Sequence, residues 1–261
     1  MDGSDIKNTA RQVGDNPIVE TGARIGYAAN GVLHLMIGWL AVQLATQSYS
    51  GGADQSGALS VLAANPVGRI GLWIGVAGWL GLSLWQLTES VLPLPDVKDR
   101  IKAVSKAILY TTLSWSCFSF LRGSGSDSSE QSVGATQTLL DTPGGMFLVI
   151  ALGLVVLGVG GYHVIKGARK KFLEDLKGHP GRAIELAGQI GYIAKGAALL
   201  IVGFLFFRAA AVKNANEATG LDGALRTILE QPFGTFLLIA VGAGFVAYAV
   251  YSFGRARYAR V

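Results

Sequence analysis

Charge is scarce in this chain. Only 15% of its 261 residues are Asp, Glu, Lys or Arg, and 51% are hydrophobic. Ordinary soluble domains carry about a quarter charged residues, so a membrane is the first expectation. Cysteine is rarer still: Cys117 stands alone, which excludes an internal disulfide and any site built from several cysteines, and it is expected to pack inside a helix. The first 24 residues lack the apolar core that a signal peptidase needs and carry Asp2, Asp5, Asp15 and Glu20. The first apolar run is therefore expected to remain as a signal anchor. Nucleotide fingerprints need a strand before a glycine loop, and no strand is expected here. Ser-His-Asp, paired-carboxylate and HExxH arrangements are missing as well, so the reading is of a protein that is not an enzyme, without a metal site or a cofactor.

What the chain does have is long apolar runs, at 25–45, 70–92, 101–121, 146–165, 190–211 and 233–253. Each is near the roughly 20 residues that cross the hydrocarbon core as a helix. Six transmembrane helices follow. The 36 glycines suit them, because small residues let helices approach closely in lipid. Net charge is +5, and its distribution points to topology rather than to nucleic acid. Fifteen of the 22 Lys and Arg fall in the N-terminal arm, the 93–102 link, the 166–187 link and the tail. Only Arg69, Arg122, Arg208, Lys213 and Arg226 fall on the other side, which places both termini in the cytoplasm.

The chain repeats itself. "IGYAANGVLHLMIGWL" (25–40) aligns without a gap on "IGYIAKGAALLIVGFL" (190–205), and "IKAVSKAILYTTLSWS" (101–116) keeps Ile101 and Lys106 in register with Ile190 and Lys195. Gly57, Gly134 and Gly223 each open a short segment that ends in Pro-x-Gly, at Pro66/Gly68, Pro143/Gly145 and Pro232/Gly234. Each unit reads as helix, outward loop, short amphipathic surface helix and second helix. In the last copy Leu225, Ile228 and Leu229 recur at helical spacing while Arg226 and Glu230 face water. A two-span unit returns to the side it left, so the copies are parallel and can be related by a pseudo-threefold axis along the membrane normal. The divisions are a polar arm at 1–24 and repeats at 25–92, 97–172 and 183–258.

On these openings, on the Pro-x-Gly entries and on the spacing of the units, the chain resembles a bacterial membrane family known as domain of unknown function 1206. The likeness spans nearly everything after the arm; the middle copy departs from it, having no Gly-Tyr in "IKAVSKA". The resemblance implies an integral protein of the bacterial plasma (inner) membrane, and it carries no activity and no site residues with it.

Ionisable groups inside spans carry the functional expectation. Lys106, Lys195 and Asn30 occupy one repeat position, about 7–8 Å inside the cytoplasmic boundary by helical rise. A ring of them would attract an anion or repel cations; lysines at that depth can also snorkel to the headgroups. His34 lies near mid-membrane as a proton-linked candidate or a hydrogen-bonded packing residue. His163 differs from it in depth by about 6 Å, which argues against bis-histidine haem. The even helices end alike, in Trp85/Glu89, Tyr162/Lys166 and Tyr251/Arg255, read as an interfacial aromatic belt with anchors. Glu89, the exception in sign, is a candidate ion-pair partner for Lys106 or Lys195. Two functions fit: a channel or transporter for an ion or small solute, with Asn30, His34, Lys106 and Lys195 along the path, or a membrane scaffold. Beyond the lipid bilayer and that solute, the expected partners are a membrane protein or further copies of the chain.

Overall fold

A computed structural model describes residues 17–91, 97–178 and 180–258. Regular structure among them is helical: α1 (Pro17–Ala45), α2 (Gln55–Ala64), α3 (Pro66–Val91), α4 (Val97–Leu121), α5 (Ser128–Leu140), α6 (Gly145–Ala168), α7 (Arg182–Val212), α8 (Gly220–Leu229) and α9 (Gly234–Tyr258). Short 3-10 turns cover Lys171–Asp175 and Ala215–Glu217. Five of the helices are long and apolar enough to cross a membrane: Arg24–Ala45 within α1, Pro66–Leu84 within α3, and the whole of α6, α7 and α9. The chain is thus built as a multi-pass membrane protein. α4 covers the stretch expected as the third of six spans but is not among these five. Thr111, Thr112, Ser114, Ser116 and Ser119 dilute its apolar character.

Contacts divide the chain into two compact units, Met1–Gln55 with Ser128–Val261, and Ser56–Asp127. In the smaller unit α3 packs on α4, and Leu59 of α2 joins Leu72, Leu121 and the buried Cys117 in one apolar cluster. In the larger unit α6 packs on α7, and α9 packs on α1 and on α7. The three most extensive pairings, α3 with α4, α6 with α7 and α9 with α1, share a rule. Each joins the second long helix of one repeat to the first long helix of the next, and the last repeat closes on the first.

Close packing repeats in register across the three pairs. A Cβ on Gly38 would lie 2.7 Å from the carbonyl oxygen of Gly242, and one on Gly242 would lie 2.9 Å from that of Gly38. The α6–α7 pair repeats the second contact, with Gly153 at 3.2 Å from the Gly203 oxygen, and adds Gly160 at 3.0 Å from the Gly196 oxygen. In the α3–α4 pair, serines stand at the corresponding places: Ser114 Oγ donates to Val76 O at 3.0 Å, and Ser83 Oγ donates to Ala107 O at 3.0 Å. Glycine brings backbones together and serine bridges them, the two devices available where lipid gives helices no hydrophobic drive to associate.

The Pro-x-Gly punctuation has a steric cause. A Cβ on Gly68, Gly145 or Gly234 would overlap the carbonyl oxygen of Leu62, Leu139 or Leu229, in the last turn of the short helix before it. Only glycine lets the next long helix start so close to those carbonyls.

The short helices also reach into the following repeat. Ser129 and Ser132 of α5 donate to Thr219 O and Ala218 O at 3.0 and 2.6 Å. Asp222 of α8 accepts from Ala53 N at 2.8 Å and from Arg226 Nε at 2.7 Å. Arg226 Nη2 in turn donates to Gly51 O at 2.9 Å and to Ser50 O at 3.3 Å. This bracket ties the loop after α1 to the third repeat.

Candidate functional site

Tyr248 and Ser252 lie one turn apart on α9, the helix that packs on both α1 and α7. From α1, Asn30 Nδ2 donates to Ser252 Oγ at 3.1 Å. One turn further along α1, the His34 ring sits 4.6 Å from the Tyr248 ring and 6.0 Å from that of Phe245. His34 Nδ1 lies 2.9 Å from the Asn30 carbonyl oxygen. A carbonyl only accepts, so Nδ1 carries the proton of the neutral ring and Nε2 is left as the acceptor. Nε2 has no hydrogen bond among the described residues, and His34 is 6% exposed. From α7, Lys195 places Nζ 4.5 Å from the centroid of the same Tyr248 ring.

The energetics of Lys195 are unbalanced. An ammonium costs up to about 3 kcal/mol at the centre of a membrane helix and less nearer the headgroups, and a cation–π contact at the half-buried Lys195 returns about 1 kcal/mol. None of the ion pairs among the described residues includes Lys195. The tyrosine ring offsets part of the cost and leaves the charge without a counter-ion among the described residues.

The polar centre continues into an aromatic column. Tyr192 of α7 stands 5.2 Å from Tyr248 and 5.4 Å from Tyr251, ring to ring, and stacks on Phe172 at 5.5 Å. Lys166 Nζ lies 5.4 Å from the Tyr192 centroid and 2.7 Å from Asp175 Oδ2. Arg255 approaches the same oxygen at 3.7 Å while lying 4.3 Å over the Tyr27 ring. Tyr251, expected in the lipid-facing belt, is instead 1% exposed, because the Lys171–Asp175 turn carries Phe172 beneath α9 and its carbonyl accepts from Tyr251 Oη at 3.2 Å. Tyr162 is exposed, as a belt residue should be.

The site belongs to a recognisable kind of chain. The family model described as Domain of Unknown Function (DUF1206) matches three times, over residues 25–92, 101–170 and 190–259. The chain belongs to the DUF1206 family. The matches begin at Ile25, Ile101 and Ile190, the residues that open the three copies. A protein of Bacillus subtilis (strain 168), "Uncharacterized protein YxxB", is 24% identical over 251 residues, 90% of this chain and 90% of the relative. No solved structure matches.

Of the residues singled out in this DUF1206 chain, Asn30, His34 and Lys195 are brought together around α9. Lys106 is exposed on α4, in the smaller unit. Glu89 falls within α3, and its side chain lies outside the described residues. His163 is half-buried on α6; its Nδ1 lies 2.8 Å from Val159 O and its ring 5.6 Å from Tyr192. Sequence reasoning missed Tyr248, Ser252 and Asp175. Neither of the first two falls in the aligned openings, and Asp175 sits in a link dominated by lysines and arginines, where an acid carries no sequence signal of its own. Tyr192 belongs to the recurring "IGY" opening, and only packing shows its place in the column.

Proposed function

We propose that this DUF1206 protein is a permeation protein, a channel or transporter for a small solute or ion. The observation that carries the reading is the meeting of Asn30, His34 and Lys195 on Tyr248 and Ser252, inside a cluster of membrane-type helices. Ionisable groups in lipid are costly, face bundle interiors and mark solute or proton paths. In this reading α4 is the third of six spans, with the hydroxyls of Ser114 and Thr111 bonded to Val76 and Ser83 of α3. The recurrence of one crossing in three helix pairs supports a pseudo-threefold arrangement of parallel repeats, with the path close to the axis. The Lys and Arg asymmetry supports cytoplasmic termini, and the bacterial relative supports a plasma membrane. No chemistry beyond transfer is assigned to the site.

A scaffold that binds a membrane partner is the second reading. It is favoured by the glycine crossings, which hold helices at backbone contact and make a rigid frame. Flux in proteoliposomes separates the two. The permeation reading expects solute flux from the wild type that Lys195→Met changes in rate or selectivity. Liposomes no leakier than empty ones to anions, cations, protons and small neutral solutes would leave the scaffold.

A further inference from the structure

We propose that the solute is a small anion and that it crosses together with a proton carried on Nε2 of His34. The inference rests on the permeation reading and adds the chemical class of the solute. Three cations stand along one column of the larger unit: Arg255 and Lys166 at one end, and Lys195 at the polar centre. Among the described residues, the single carboxylate ion-paired with any of them is Asp175, which Lys166 and Arg255 already share. Such a column repels cations and lowers the energy of an anion. Lys195 is the natural anchor, since a π face attracts its charge without taking its N–H donors in conventional hydrogen bonds.

His34 supplies the coupling. With Nδ1 donating to Asn30 O, the neutral ring offers a lone pair at Nε2, which repels an anion. A proton on Nε2 turns that acceptor into a cationic donor. Among the described residues, the charged and titratable groups that face His34 are Lys195 from α7 and Tyr248 from α9, with Tyr192, Tyr251, Arg255 and, on α6 against Tyr192, His163 beyond. No carboxylate among them stands ready to balance a second positive charge beside Lys195. The anion itself is therefore the counter-charge: Nε2 gains a proton as the anion is taken up and loses it as the anion leaves, so one anion and one proton move together and no covalent bond other than N–H changes.

The test uses the full-length protein in liposomes, with chloride and nitrate as probes and a halide-quenched dye and a pH dye inside. An inward proton gradient of one pH unit should drive chloride uptake towards about tenfold accumulation, the limit for one-to-one coupling. His34→Gln should lower anion flux and leave the remainder independent of the proton gradient, Lys195→Met should lose the flux, and Lys195→Arg should retain it. Thermal unfolding of each variant in detergent establishes that it is folded, and anion flux through wild type alone already decides the solute class. Anion uptake indifferent to the proton gradient would overturn the coupling. Flux of potassium or glycerol without anion flux would overturn the anion while leaving permeation standing, and no flux of any probe would overturn both.

Discussion

Ser114 donates to the carbonyl of Val76 at the place where Gly38 rests against the carbonyl of Gly242. The two contacts lie in different helix pairs and in different compact units, yet occupy one register position, counted from Ile25 and Ile101 on one side and from Pro66 and Pro232 on the other. One crossing is therefore made with two chemistries, and they should respond differently to mutation. Ser114→Ala removes one interhelical hydrogen bond, worth about 0.6 kcal/mol in membrane proteins. Gly38→Leu drives a side chain into the α9 backbone and should cost several times more. Thermal unfolding in detergent checks this, and equal stability of the two variants would contradict the crossing.

The glycines differ in a similar way. Gly134 lies within α5 with open space, nothing within 4 Å, where a Cβ would stand, whereas Gly234 has no room for one beside Leu229 O. Gly134→Ala should be neutral or stabilise by up to about 1 kcal/mol, the usual gain from replacing a mid-helix glycine. Gly234→Ala should destabilise, and the opposite order in a melt would remove the steric account of the Pro-x-Gly motif.

Asp222 joins Ala53 N–H to the Arg226 guanidinium, and its side chain is 10% exposed. Asp222→Ala leaves a buried N–H without its acceptor, for a loss of about 2 kcal/mol; the part due to Arg226, whose side chain is 41% exposed, is small. Limited proteolysis should then cut within residues 46–54 before any global unfolding. A cut pattern identical to wild type would mean that the bracket does not hold the loop.

Lys195→Met separates function from stability. Removing an ammonium without an ion-pair partner from a membrane helix should leave stability unchanged or raise it by about 1 kcal/mol, even as flux falls. A variant that loses flux only because it unfolds would make Lys195 a packing residue.

Topology can be read by labelling in a Cys117→Ala background. Lys170→Cys should react with an impermeant maleimide only from the cytoplasmic side and Gln231→Cys only from outside. Labelling of both from one face would mean that α7 does not cross, and the swapped pattern would invert the topology.

Internal repetition, helical class and most spans were legible because they depend on local order: apolar length, and glycine and proline at fixed offsets. α4 marks the edge of that legibility, since its helix follows from the sequence while its serines and threonines weaken it as a span. Repeat position grouped Lys106 with Lys195 and Asn30, because alignment treats equivalent places as equivalent environments. Tertiary packing distinguished them: α9 meets both α1 and α7, so Asn30, His34 and Lys195 converge on one tyrosine and one serine, while Lys106 is exposed. Tyr251 shows the same division, as its spacing from Arg255 suits an interfacial belt and only the turn through Phe172 buries it. The sequence by itself determined which segments are helices and that three units recur, because periodicity and turn chemistry act within a few residues. Which helix faces meet, and so which polar groups share a site, was decided by tertiary structure, because each second helix packs most extensively on the first helix of the next repeat while α9 also packs on α7 of its own.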